Sequence, residues 1–212
     1  MKKLFLIFTV VLFVSGLNAQ TYPEPEFSNE VCYLKKDKDY SAVRLEKGSS
    51  KMENKSGMIK GYEQAYVIDG SSSSIRVPGG NVISFVFSTG SSSSTGSSSK
   101  SDSTMRANGI DPNMLQGMMG GANDPSKFTL YKLDIDKGTR KILLMKQGGY
   151  FSSHKNQSSD KFTFSIKKIK DGYWVLVTDK PLPKGEYAFS MMDMSGTAGM
   201  GMGIVYFAFG VD

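Results

Sequence analysis

Short runs in which apolar and polar residues alternate with a period of two constrain this chain most. Ile83, Phe85 and Phe87 alternate with Ser84 and Ser88, and Phe162, Phe164 and Ile166 with Lys161, Thr163, Ser165 and Lys167. A period of two places one set on a buried face and the other in water, so these runs are predicted as strands. Residues 30–34, 41–46, 62–68, 73–77, 127–135, 139–145, 173–178, 186–191 and 203–211 have the same character. Turn chemistry falls between them. Asp171-Gly172 and Asp136-Lys137-Gly138 are hairpin signals, and Pro78-Gly79-Gly80 and the Pro181 to Gly185 stretch interrupt the chain where strands should stop. No long apolar stripe at helical spacing follows the first twenty residues. The expectation is an all-β fold, an antiparallel β-sandwich of about ten strands. Residues 204–211 are apolar on both sides, which predicts a strand in the middle of a sheet, covered on both faces. A transmembrane barrel is a poor match, because Lys and Ser stand at mid-strand where lipid would lie.

The chain opens with a different pattern. Lys2 and Lys3 precede an apolar run at 4–14, interrupted only by Thr9, and small residues including Ser15, Gly16 and Ala19 follow. This three-part order is that of a secretory signal peptide, 1–19, cleaved after Ala19. The apolar run is too short to span a bilayer of ~30 Å as a helix. A single folded domain, 20–212, is expected after its removal, exported and with no transmembrane segment. Cys32 is the one cysteine, so an internal disulfide is excluded. It lies too far from the cleavage point to carry a lipid anchor and is expected as a small buried apolar residue on a strand.

One stretch breaks the strand rhythm. Residues 88–104 contain ten Ser, three Thr and two Gly, and residues 105–123 are rich in Gly, Met and Asn. Such tracts bury too little surface to offset the entropy lost on ordering. Residues 90–125 are therefore expected as a flexible low-complexity insertion within the domain.

The composition excludes several chemistries. There is one His, one Cys and one Trp. Zinc held by the usual His/Cys spacing is impossible, and serine hydrolysis would depend on His154, which stands in a polar, Ser-rich stretch with no nucleophile elbow. Gly199-Met-Gly-Met-Gly203 leads into a strand instead of opening a helix, so it fails as a dinucleotide loop. The formal charge is +6, and the densest cationic cluster, Lys167, Lys168 and Lys170, reads as a solvated strand edge and not as a nucleic-acid surface. A glycan-acting hydrolase needs a carboxylate pair. Glu46, Glu63 and Glu186 lie on predicted strands, and Asp69, Asp136, Asp171 and Asp179 in turns, but nothing in the sequence pairs them.

Two groups of side chains remain as candidates. Tyr62 and Tyr66 share one face of a mixed strand and Trp174 follows the Asp-Gly turn; aromatic rows beside polar rims hold sugars by stacking. Methionine is also conspicuous: Met105, Met114, Met118 and Met119 form one cluster, and Met191, Met192, Met194, Met200 and Met202 a second. Thioethers are soft ligands that select Cu(I), although methionine also serves as adaptable apolar filler or as a re-packable partner surface.

Pro181-Leu-Pro-Lys-Gly-Glu-Tyr-Ala-Phe189 resembles a recurrent strand entry of secreted β-sandwich modules. With Val205-Tyr-Phe-Ala-Phe-Gly-Val-Asp212 and Phe128-Thr-Leu-Tyr-Lys-Leu133, the last 85 residues resemble small exported proteins of Gram-negative bacteria that have no assigned activity. That resemblance implies fold and location and transfers no functional residue. The sequence thus points to a non-catalytic binding or structural module of the periplasm or cell surface, without a cofactor, meeting a protein or glycan of the envelope. The alternatives are a periplasmic Cu(I)-binding protein and a glycan-acting hydrolase.

Overall fold

The computed structural model describes residues 22–37, 39–57, 61–89, 124–148, 156–193 and 203–212. Among them are fourteen strands, nearly all antiparallel, and a single 3-10 turn. One sheet, here sheet A, runs β11 (Phe164–Lys170), β12 (Tyr173–Thr178), β6 (Ser84–Ser88), β1 (Glu30–Lys36), β2 (Tyr40–Arg44). The other, sheet B, runs β10 (Lys161–Phe162), β7 (Thr129–Lys132), β13 (Gly185–Asp193), β14 (Gly203–Val211), β3 (Glu46–Gly57), β4 (Gly61–Asp69), β9 (Thr139–Gln147), β8 (Asp134–Asp136). The short β5 (Arg76–Val77) pairs in parallel with the end of β14, where β3 leaves it.

Two stretches of chain serve both sheets. β2 passes into β3 through the buried Leu45, whose N–H donates to Val31 O at 3.0 Å. β10 passes into β11 through Thr163, whose carbonyl accepts from Asp179 N at 3.2 Å. A strand that bends from one sheet into the other closes each side of the sandwich, which is how sheets turn corners without leaving an open edge. Between the sheets lies an aromatic core. Phe85 packs on Phe189 and on Phe209 with ring centroids 5.0 Å apart in each case, and Phe87 packs edge-on against Phe128 at 5.0 Å. The Tyr187 ring joins this core, and its hydroxyl donates to Pro183 O at 2.7 Å. Each such ring contributes roughly 2 kcal/mol by leaving water.

Sheet B does not stop at β3. The first half of that long strand pairs with β14, and the second half, from Met52, pairs with β4. The continuation β4-β9-β8 rolls back over the outer face of β13 and β14. Tyr66, Ile68 and Ile142 pack there on Ala188, Ala208 and Ile204. The small residues on that face let a third layer come close. Gly48 has the same role: a Cβ on it would lie 2.3 Å from the Tyr206 hydroxyl, because the Tyr206 ring lies across it. β14 is therefore covered on both sides, as its two-sided apolar sequence requires.

Several sequence expectations change in detail. Ser84 and Ser88 were expected in water, yet Ser88 is buried and Ser84 half-buried. The outer face of sheet A carries its own apolar cluster of Cys32, Leu34, Val86, Tyr173 and Val175. Ile166, expected inside, is 40% exposed, because β11 is the outermost strand of sheet A. Residues 47–57, which form all of β3 after Glu46, are mostly polar and carry no periodic signal. The insertion up to residue 123 lies outside the described residues, while Asp124 caps the 3-10 turn Pro125–Lys127, accepting from Ser126 N at 2.9 Å. No helix among the described residues is long and apolar enough to cross a membrane.

Candidate functional site

The rolled-back layer has two faces, and each collects charge. The hairpin β8–β9 turns at Lys137 and Gly138, both at positive φ, as a tight two-residue turn demands. It delivers Arg140 and Lys141 in succession, so one cation faces the interior and the other the outside. Sequence reading passed over this pair. Its signal was two adjacent cations followed at once by Ile-Leu-Leu, which forces one charge onto the apolar face.

Arg140 points inward and is 1% exposed. Its NH1 and NH2 donate to the two Glu46 carboxylate oxygens at 2.9 and 2.6 Å, and Nε and NH2 to Gly70 O and Asp69 O at 3.1 and 2.8 Å. Glu186, likewise buried, has its Oε2 3.9 Å from Arg140 NH1 and accepts there from Ser73 N at 2.8 Å. Its Oε1 is paired with Arg76 NH1, and Arg76 NH2 reaches Asp212 at 2.6 Å. Burial alone would raise the Glu46 carboxyl, but the bonds from Arg140 and Ser73 outweigh it and hold the group below the usual range. Two of the three strand glutamates thus meet around one guanidinium, closed off from solvent on most sides.

Lys141 points outward, and its ammonium is clamped between Glu63 Oε1 at 2.8 Å and Asp136 Oδ2 at 2.7 Å. Its side chain is only 7% exposed. Burial works to lower its pKa, and the bonds to the two carboxylates outweigh that and raise it. The bond from Lys141 holds both Glu63 and Asp136 below their ordinary values. Around the clamp lies a groove of about 270 Å³ lined by Lys55, Ser56, Gly61, Glu63, Asp136, Lys137 and Lys141. The two carboxylates share one ammonium, so they stand close enough for a glycosidase pair. Both are held ionised, however, and such a pair needs one member protonated at neutral pH. The arrangement suits holding a polar ligand better than protonating a leaving group.

The residues singled out in the sequence fall elsewhere. Tyr62 and Tyr66 do share a face of β4, but that face is the interlayer one. Tyr66 is 3% exposed within the second core, and Tyr62 is half-buried with its hydroxyl 3.3 Å from Asn54 Oδ1. Trp174 is half-buried on the inner face of sheet A, stacked on Phe87 at 5.8 Å. Sheet B separates it from Tyr66, so the three rings form no common row. Met191 packs half-buried against the main core, and Met192 pairs with Ile204 in the β13–β14 ladder. Met194, Met200 and Met202, the Met105 to Met119 cluster and His154 lie outside the described residues. Among the described residues no three His, Cys, Asp or Glu side chains gather as metal ligands. Comparison with family models, with curated proteins and with solved structures returned no match.

Proposed function

We propose that the protein is an exported, non-catalytic binding module of the periplasm or cell surface, and that the Glu63–Lys141–Asp136 groove takes a hydroxyl-bearing ligand the size of one sugar unit, such as an envelope glycan presents. The observation that carries this is the clamp. An ammonium has three N–H donors, and two of those on Lys141 are used by Glu63 and Asp136. No described residue takes the third, which is open to a ligand hydroxyl, while the ionised carboxylates accept from hydroxyls beside it. Lys55 and Ser56 on the neighbouring strand β3, where Lys55 pairs with Glu63, extend the same polar lining. The leader-like N-terminus and the resemblance of the last 85 residues support export.

The test is saturation-transfer NMR on the purified protein with a hexose, an N-acetylhexosamine and a hexuronic acid as probes. Binding of at least one is expected, falling ~10-fold in Glu63→Gln, in line with the loss of one charge-assisted bond, in a variant whose Trp174 emission shows it still folded at the assay temperature. No signal from any probe, or binding indifferent to the substitution, overturns the groove. Hydrolysis of a glycoside made from these sugars overturns the non-catalytic reading. Cu(I) binding is the second reading. Its specific support is the pairing of Asp193 with Gly203 at the end of the β13–β14 ladder, which brings together the two described ends of the sequence that carries Met194, Met200 and Met202. Anaerobic Cu(I) titration of the protein, and of a variant with Met191, Met192, Met194, Met200 and Met202 replaced by Leu, decides it.

A further inference from the structure

The outer face of sheet A is closed by chain that belongs to no strand. Residues 22–25 read Tyr-Pro-Glu-Pro, and they cross the face as an extended strap. Tyr22 packs on Tyr40 with ring centroids 5.9 Å apart. The Tyr173 hydroxyl donates to Pro23 O at 2.7 Å. Glu24 pairs with Lys170 at 2.9 Å, and Pro25 is buried. Beneath lie Cys32, Leu34, Val86 and Val175, none more than 3% exposed. Two prolines remove two backbone donors and hold the preceding residues extended. The strap therefore joins no ladder and is held by rings, one carbonyl and one charge.

Those are the elements by which an aromatic-lined surface recognises an extended, proline-spaced peptide: rings around the prolines, a hydroxyl donor to a backbone carbonyl, and a flanking charge that sets specificity. The face has charge in reserve as well. Lys167 pairs with Val175 in the ladder and so lies on the same outer face, with no ion pair among the described residues. The strap is tied to β1 by the irregular residues 26–29, where Asn29 takes a φ of 57° and Phe27 is 46% exposed. A segment with so few contacts and an irregular hinge opens at lower cost than the strands beneath it.

We infer that the outer face of sheet A is a docking surface for acidic, proline-spaced extended segments of a partner protein, and that residues 22–25 are its resident occupant. The partner's segment displaces the strap and takes over its contacts with Tyr40, Tyr173 and Lys170, with Lys167 free to pair with a further acidic residue. This goes beyond the groove, which lies on the opposite side of the molecule and fails or stands by its own test.

The probe is a fluorescein-labelled peptide copying residues 21–27, followed by anisotropy. The intact protein should bind it weakly, because the tethered strap competes at millimolar effective concentration. The variant Tyr22→Ala/Glu24→Lys, with the strap loosened and the face untouched, should bind it at least ~10-fold more tightly. Adding Tyr173→Phe should cut that affinity several-fold, and salt at 0.5 M should weaken it further. If the double variant does not fold, judged by Trp174 emission, Glu24→Lys alone is used with the same criterion. Absence of saturable binding to a folded, loosened variant overturns the inference, as does binding that Tyr173→Phe leaves unchanged. A loosened variant that dimerises by light scattering and excludes the peptide also overturns it, in favour of a second copy as the occupant.

Discussion

Arg140→Met tests the reasoning about the third layer most directly. Methionine keeps an unbranched apolar stem in a site where the arginine is 1% exposed, so little packing is lost. What disappears is the guanidinium, with its two bonds to Glu46 and its bonds to Gly70 O and Asp69 O. Removing one partner of a buried pair costs about 3–5 kcal/mol. The Glu46 side chain is 28% exposed, and Asp69 and Gly70 sit on an exposed turn, so water reaches part of what is left. The lower half of that range, about 3–4 kcal/mol, is expected. For a domain of this size it corresponds to a fall in Tm of roughly 6–16 °C. Replacing Glu46 by Met in the same chain removes the stranded carboxylate, and the double variant should recover about 2 kcal/mol of the loss.

Urea unfolding followed by Trp174 emission is the assay, since it is the only tryptophan and stacks on Phe87 in the main core. The pH dependence adds a second arm. In the parent, the folded Glu46 carboxyl titrates below its unfolded value, despite burial, because of Arg140 and Ser73. Its contribution is complete at neutral pH and lost as pH falls through the folded value. In Arg140→Met burial acts with the main opposing bond gone, so the gap between parent and variant should narrow below about pH 4. A single variant within about 1 kcal/mol of the parent, or a double variant whose losses simply add, would refute the argument that this pair closes the seam.

Two further outcomes follow from the same geometry. In Gly210→Ala the new Cβ would lie 1.7 Å from Arg76 NH1 and 2.7 Å from Glu186 Oε1, so the clasp must open; a loss of about 2–4 kcal/mol in urea unfolding is expected, becoming smaller when Arg76→Ala is the parent, where only the Glu186 contact remains. Cys32 is buried, and burial, helped by Glu30 and opposed by Arg44, pushes its thiol up to about 11. A disulfide reagent at pH 8 should therefore label the native protein only as fast as it opens, and stability should decline between about pH 8.5 and 11 as the unfolded thiol ionises first; immediate native labelling would contradict the buried placement.

How far the sequence revealed this molecule depends on where each element gets its stability. β12 and β14 occupy the residues expected, 173–178 and 203–211, because runs of β-branched and aromatic residues end there at turn residues. Residues 47–57 were invisible, because Lys-Gly-Ser-Ser-Lys-Met-Glu-Asn-Lys-Ser-Gly has no apolar alternation. They extend only because β14 and then β4 supply backbone partners from far along the chain. The corners at Leu45 and Thr163 were hidden for a related reason: one unbroken run of strand residues does not say where it changes sheet. Tyr62 and Tyr66 were read correctly as sharing a face, but a period of two cannot tell solvent from a second layer. The clamp at Lys141 depends on β4, β8 and β9 lying side by side, and pairing of that kind leaves no mark in local sequence.

The two covers of the sandwich are unequal, and that difference connects fold to function. Sheet B closes its outer face with its own continuation, hydrogen-bonded along β4 and β9 and riveted by a buried guanidinium. Exposing that face means separating strands and leaving Arg140 and Glu46 without each other, so it opens only with the whole fold. Sheet A closes its outer face with four residues outside any ladder, held by one hydrogen bond, one exposed ion pair, a ring contact and the buried Pro25. Exposed ion pairs contribute at most about 1 kcal/mol and a single hydrogen bond about as much. A partner with better contacts can therefore displace this cover while the strands below stay paired. Of the two apolar outer faces, the one on sheet A is the one that binding can reach without unfolding the protein.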